Sequence, residues 1–194
     1  MAITAIDVTI ASRALNLIGA NQISSFTEGS TEANVANNLY DAIVEGSLTL
    51  TRWRFASGQQ QLSRLDAVPT SRWDAAYQMP TSPPILLLHG VTVLSKPITY
   101  DRYEDKIYTN TSVDDLVIAD YSYRPDSQYW PAYFSKALMY ELASVFASSI
   151  TRKGDLAAHW ATEAQREYTR AKWADSSSQT ARRLRTSTLT AIRR

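Results

Sequence analysis

Residues 30–56, STEANVANNLYDAIVEGSLTLTRWRFA, decide the fold because their hydrophobic period changes along the stretch. Ser30 is a suitable N-cap, and Glu32 follows in the first turn, where the helix dipole favours an acid. Apolar residues then recur at spacings of three and four, which is typical of one face of a helix: Ala36, Leu39, Tyr40, Ile43 and Val44. Near the end, Trp53 and Phe55 alternate with arginines, a period of two that is typical of a strand. The stretch predicts a helix over about 31–51 that passes into β structure.

A shorter helix is predicted before this stretch, over about 5–19. Thr4 and Asp7 have the spacing of a capping box, with Asp in place of the usual Glu, and Gly19 is a plausible C′ residue. The apolar stripe is formed by Ile6, Ile10, Ala14 and Leu17.

The region after the second helix predicts short antiparallel strands over about 53–124. Pro80, Pro83 and Pro84 exclude a helix interior and precede the apolar run 85–88. Tyrosines and β-branched residues follow in short groups, which favours strands. The acid pairs Glu104-Asp105 and Asp114-Asp115 mark turns between them.

Two further helices are predicted over about 131–152 and 155–174. Pro131 suits the first helical position, Gly154 ends the third helix, and Asp155 caps the fourth. The two stripes are Phe134, Leu138, Leu142 and Val145, and then Leu156, Trp160, Ala164, Tyr168 and Ala171. The order predicts an α+β fold: a helical bundle over 1–175 with an inserted small antiparallel β region, and an extended C-terminal arm over 176–194.

Charge is unevenly distributed along the chain. The segment after Asp175 contains no acid and five arginines: Arg182, Arg183, Arg185, Arg193 and Arg194. Removing these from the 20 Lys and Arg residues leaves 15, against 19 Asp and Glu residues, so the rest carries a formal charge of −4. A negative body disfavours broad adhesion to nucleic acid.

Composition narrows the class of protein further. The chain has no cysteine, which excludes disulfides and thiolate chemistry and fits a reducing cytosol. No apolar run reaches about 18 residues, and the N-terminus lacks the features of a secretory signal. We therefore expect no membrane span and no secretion signal.

Catalytic signatures are weak throughout the chain. His89 and His159 lie in different predicted elements without metal-ligand spacing, so structural roles are expected for both. No phosphate-binding glycine motif and no nucleophile elbow occur. The acid pairs are adjacent in sequence, which favours solvated turns over metal or glycosidase carboxylates. The many Trp and Tyr residues suit a core and interfaces better than base stacking, because acids surround them over residues 100–126. An enzyme is therefore the weaker hypothesis, and we expect no cofactor and no metal.

Four segments together resemble the tail tubular protein A family of tailed bacteriophages. Residues 14–56 carry LxxIG, an IxSxxE loop and W-x-F; residues 72–80 read RWDAAYQMP. Residues 100–110 read YDRYEDKIYTN, and residues 121–151 contain W-P-x-x-F followed by a helical pattern. The resemblance spans about residues 5–175, and the segment after Asp175 departs from it.

The resemblance implies a structural virion protein without enzymatic activity. Members of the family form a head-tail connector: a dodecamer ring beneath the portal protein that continues the DNA channel and presents a platform to the tail or nozzle proteins. Such a chain assembles in the cytoplasm of the bacterial host and functions at the head-tail junction during viral genome ejection. The alternatives are a neck or tail-completion subunit that caps the tail, and more remotely a lysis enzyme.

The arginine-rich arm has two possible partners. Apolar residues are interspersed with the arginines, namely Leu184, Leu189 and Ile192. Pure phosphate binders need no such residues, so docking on the portal is favoured over contact with duplex DNA in the channel. A terminus without a specific role is the third possibility.

Overall fold

The computed structural model describes residues 4–67, 69 and 72–178, and in this part of the chain it confirms the α+β class. The α-helices are α1 (Ala5–Leu17), α2 (Thr31–Thr49), α3 (Ala132–Phe146) and α4 (Gly154–Ser177). A π-helical turn, Ala147–Thr151, continues α3, and a short 3-10 helix, Ser127–Tyr129, precedes it.

All strands of the described chain lie between α2 and α3, in two antiparallel sheets. Sheet A has the order β1-β8-β4-β5, and sheet B has the order β2-β3-β7-β6. The strands are β1 (Ser57–Gln61), β2 (Ser63–Arg64), β3 (Ala75–Gln78), β4 (Ile85–Val93), β5 (Lys96–Pro97), β6 (Tyr100–Tyr103), β7 (Lys106–Thr109) and β8 (Val117–Tyr123).

The four helices share one hydrophobic core with the turn that follows α2. Trp53 is completely buried at its centre, and its indole packs edge-on against Phe134, with 5.4 Å between ring centroids. Trp130 also packs edge-on against Phe134, with the same separation of 5.4 Å between ring centroids. The predicted strand at Trp53 and Phe55 is wrong: residues 51–56 form turns, because both rings pack into the helical core instead of alternating across a sheet.

A second, smaller core joins the two sheets. Tyr77 and Ile107 of sheet B are buried with Val91, Val117 and Tyr121 of sheet A. Sheet A also reaches the helices, because Leu86 packs against the helical core. The two sheets therefore enclose their own apolar interior while one of them rests on the helices.

The predicted starts of α1 and α2 are confirmed by their caps. The Thr4 hydroxyl accepts from the backbone N–H of Asp7, and the Asp7 carboxylate accepts from the backbone N–H of Thr4, which completes the capping box. The Ser30 hydroxyl accepts from the N–H of Ala33 at 3.1 Å. Gly19 follows the last turn of α1 with φ of 72°, a left-handed conformation that glycine adopts without steric cost.

The predicted stripe of α1 is wrong at its first residue. Ile6 is exposed, whereas Asp7 is buried. The buried carboxylate is acceptable because the Tyr40 hydroxyl donates to it at 2.9 Å and Thr4 donates to it from two atoms.

The connection between α3 and α4 also differs from the prediction. The helical path stops at the predicted bound, residue 152, but the residue that ends it is Arg152 itself, with a left-handed φ of 53°, and not Gly154. Gly154 is the first residue of α4, with Lys153 at the N-cap and Asp155 in the first turn. Pro131 occupies the N-cap of α3 rather than its first helical position.

Candidate interaction surfaces

The predicted docking residues of the arm, Arg182 to Arg194, lie outside the described residues. The structure describes the chain up to Ser178, the C-cap of α4. The predicted start of the extended arm at residue 176 is wrong, since Ser176 and Ser177 form the last turn of α4. Their hydroxyls donate to the carbonyls of Trp173 and Ala174, both at 2.8 Å, and so satisfy carbonyls that a helix end leaves open.

One buried carboxylate fixes the end of α4. Asp175 is 5% exposed and accepts hydrogen bonds from two elements distant in sequence. The backbone N–H of Arg54 donates to its two oxygens at 3.1 and 3.3 Å, and the Tyr133 hydroxyl donates at 2.8 Å. Burial raises the pKa of Tyr133, and the bond to Asp175 adds to the effect. We call Arg54, Tyr133 and Asp175 the α4 anchor; it holds the root of the following segment against the turn after α2 and the first turn of α3.

A second polar group lies on sheet A, where a β-bulge places His89. The register of β4 on β8 shifts between Leu88 and Gly90, so His89 is the extra residue of the bulge. Its Nε2 lies 2.7 Å from the Ser122 hydroxyl. Asp120, two residues before Ser122, accepts from Gln59 at 2.5 Å and pairs with Arg52 at 3.8 Å.

This His89–Ser122 pair has the spacing of a base and a hydroxyl nucleophile, but its setting favours a structural role. Ser122 is completely buried, so a substrate has no path to its hydroxyl. Asp120 is engaged by Gln59 and Arg52. Burial lowers the pKa of His89, and the positive charge of Arg52 lowers it further, which keeps the imidazole neutral. The sequence did not indicate this contact, because no local signal revealed the bulge that turns His89 toward β8.

The remaining polar residues considered from the sequence lie on the surface. Glu104 and Asp105 form the turn between β6 and β7, and Asp114 lies in the turn closed by the Asp115 N–H to the Ser112 carbonyl at 3.2 Å. His159 is exposed on α4, edge-on to Trp160. Within residues 4–67, 69 and 72–178, no group of three His, Asp or Glu side chains is arranged to hold a metal ion.

Most aromatic residues belong to one of the two cores, and three large ones are exposed. Tyr40, Trp53 and Tyr77 are at most 1% exposed. In contrast, Tyr103, Tyr129 and Trp173 are exposed by half or more of their surface. These three residues, and the exposed leucine Leu94 at the β4–β5 turn, are therefore available to partners.

The surface of α2 is acidic. The chain from residue 14 to residue 51 contains no Lys or Arg and four acids: Glu28, Glu32, Asp41 and Glu45. In the described chain, one cation reaches this surface, since Arg124 donates to Asp41 at 2.8 Å. Glu28 does not face a cation; it accepts from the Ser24 N–H and the Ser24 and Ser30 hydroxyls, which lowers its pKa to about 2.

Comparison with known proteins adds no assignment: no protein-family model matches the chain, and neither does any curated protein. Among the residues that the structure describes, no helix combines the length and the apolar character needed to cross a membrane.

Proposed function

We propose that this chain is a head-to-tail adaptor of a tailed bacteriophage, forming a ring between the portal and the tail. One observation carries the proposal. The motif residues on which the resemblance rests are far apart in sequence, yet Trp53, Trp130 and Phe134 pack together in the helical core. Leu15 and Ile18 of LxxIG are buried in the same core. Motifs whose residues pack into one core support the family resemblance more strongly than the same motifs matched one by one.

The proposed architecture is a helical bundle with an inserted β region and an extended C-terminal arm. Two features support it. The helices share one core, and the two sheets, which lie between α2 and α3 along the chain, share another. A subunit with two such parts suits a connector, in which one part forms the ring wall and the other projects toward the tail.

The arm of this adaptor is proposed to dock on the portal through its arginines and interspersed apolar residues. The α4 anchor supports this proposal because Asp175 fixes the helix three residues before Ser178. A fixed root lowers the entropy that a docking segment loses on binding. An acidic portal surface with an apolar groove is the partner that this composition fits.

The charge of the body fits a conduit for duplex DNA. A formal charge of −4 outside the arm gives little attraction to phosphate, so DNA would pass without being retained. A ring whose lumen proved strongly basic would contradict this part of the proposal.

The deciding experiment mixes the purified protein with the portal protein encoded in the same genome and images the product by negative-stain electron microscopy. The proposal expects rings stacked on the portal. A truncated chain ending at Ser178 is the matched variant, and it is expected to lose portal binding while keeping the circular dichroism of the full chain.

Three results would redirect the proposal. Rings found on the tail and never on the portal would favour a neck or tail-completion subunit. Undiminished portal binding by the truncated chain would exclude the docking role of the arm and leave the adaptor role standing. The full chain could instead bind duplex DNA, with an affinity that falls steeply between low and moderate salt. That result would make DNA, and not the portal, the partner of the arm.

A further inference from the structure

The outer face of α4 carries an exposed tryptophan between arginines. Arg166, Arg170 and Trp173 follow at spacings of four and three, so they lie on one side of the helix. Trp173 is 75% exposed, although tryptophan is highly buried on average. Arg166 and Arg170 bond to Glu163 and Glu167 at 2.5 Å, yet their side chains remain 64% and 72% exposed. We call Arg166, Thr169, Arg170 and Trp173 the α4 face.

Trp and Arg are the residues that contribute most to protein–protein binding. Both offer a large contact area that binding can bury, so an exposed group of this kind indicates a partner. Both guanidinium groups keep exposed N–H donors beside their own glutamates, so a partner that fits them presents acceptors such as carboxylates.

The outer face of α2 presents that charge on the same protein. Asn34, Asn38, Asp41 and Glu45 follow at spacings of three and four and are all exposed. Within the described chain Glu45 takes part in no ion pair, and Asp41 meets only Arg124. We call these four residues the α2 face; short amides and two carboxylates make it flat and acidic.

The two faces point to different sides of the subunit. The inner side of α2 meets the inner side of α4, because the Tyr168 hydroxyl donates to the Ser47 hydroxyl at 2.8 Å. Tyr168 also donates to Glu141, which accepts from Ser47 at 2.6 Å. Since the inner sides face each other, the outer sides turn away from each other. One chain therefore cannot bring its own α4 face onto its own α2 face.

We propose that the α4 face of one copy docks on the α2 face of the next copy. The inference rests on the proposed ring and names the surfaces that build it. Two different, complementary patches on opposite sides give a heterologous contact, and repetition of this contact closes a ring when the rotation between copies is a simple fraction of a turn. In a twelve-membered ring that rotation is about 30°, which is consistent with two nearly opposite faces.

The natural absence of cysteine allows a direct test of this contact. Two single-cysteine variants, Thr169→Cys on the α4 face and Asn38→Cys on the α2 face, are mixed and oxidised mildly. The proposal expects a disulfide-linked dimer from the mixture and little from either variant alone. Gln61→Cys, exposed on β1 and outside both faces, is the control, and it is expected to form few dimers with either variant.

The energetics of the contact are tested by sedimentation of variants whose folding is first checked by circular dichroism. Trp173→Ala is expected to weaken association by at least about tenfold, as for a central interface residue. Arg166→Glu and Glu45→Arg are each expected to weaken it, and the two changes in one chain are expected to restore part of the loss. Partial restoration distinguishes a direct contact from general damage.

Three outcomes would overturn the proposal. The first is a protein that remains monomeric at high concentration. The second is association without the cross-link between Thr169→Cys and Asn38→Cys. The third is loss of association in the chain ending at Ser178, which would assign the contact to the arm. The second and third outcomes leave the adaptor ring intact. Failure of the adaptor function appears separately, as absence of the chain from the portal in the imaging experiment.

Discussion

The α4 anchor allows a quantitative prediction about Asp175. Replacing it by alanine leaves the Tyr133 hydroxyl and the Arg54 N–H without their acceptor, where the structure shows bonds of 2.8 and 3.1 Å. A hydrogen bond to a charged group contributes about 1.5–3 kcal/mol. Both donors are only half-buried, so water replaces part of each bond. We therefore expect Asp175→Ala to lower the free energy of unfolding by about 2–4 kcal/mol.

Urea denaturation followed by circular dichroism at neutral pH measures this loss. Tyr133→Phe removes one of the two bonds and is expected to cost about 1 kcal/mol in the natural chain. In the Asp175→Ala background the same change is expected to cost almost nothing, since its acceptor is already gone. Ser176→Ala, in the same helical turn but exposed, is the matched control and should stay within about 0.5 kcal/mol. Equal effects of Tyr133→Phe in both backgrounds would refute the anchor.

Three further predictions follow from local structure. Burial, and then the carboxylates that they contact, raise the pKa of Tyr40 and Tyr168 above the ordinary value of 10.0. The unfolded chain loses these protons at lower pH than the folded chain, so the free energy of unfolding should fall as pH rises above 10. The expected slope is up to about 1.4 kcal/mol per pH unit for each tyrosine. Urea denaturation at alkaline pH should show this slope in the natural chain, and each Tyr→Phe variant should lose its share. The pKa of Glu28 is lowered from 4.5 to about 2, so its stabilising effect is complete above pH 4.5 and is lost as pH falls toward 2. An NMR titration of the Glu28 carboxyl should find its midpoint near pH 2. The Glu28→Gln variant should show a flatter dependence of stability on pH in this range. Leu94 and Ser95 have φ of 49° and 64°, so Leu94→Asn with Ser95→Gly should stabilise the β4–β5 turn by about 1–2 kcal/mol in thermal denaturation, and a destabilised double variant would contradict this.

Signals within a few residues predicted much of the helical part. The Thr4–Asp7 capping box and the Ser30 cap depend on neighbours three residues away, and the sequence shows them directly. The third helix ends at the predicted residue 152, but Gly154, the strongest local stop signal, does not end it: the π-helical turn leads into the left-handed Arg152, and Gly154 begins α4. Local chemistry therefore indicates the extent of a helix more reliably than the residue that begins or ends it.

The polar contacts of the candidate surfaces were beyond the sequence because they join distant residues. Asp175 meets the N–H of Arg54 across 121 positions, and His89 meets Ser122 across 33. Trp53 and Phe55 were assigned to a strand because a period of two is ambiguous over so few residues; tertiary packing placed them in the helical core. The arrangement of the α2 and α4 faces likewise depends on the fold and has no local signature.

The two ends of the β region lie side by side, and this has a consequence for how such chains diversify. Ser57, where the chain enters sheet A, pairs with Ser122, and the Tyr123 N–H donates to the Ala56 carbonyl at 2.9 Å where the chain leaves. The helical part of the chain is therefore interrupted by an inserted β region whose first and last residues are already joined by hydrogen bonds. Lengthening a segment whose ends are held together lowers the free energy of unfolding only slightly, by about 0.6 kcal/mol for each doubling of its length. Insertions or grafted loops in the turns of the β region can remodel what the chain offers to a partner while the helical core, including its contact with Leu86, remains unchanged.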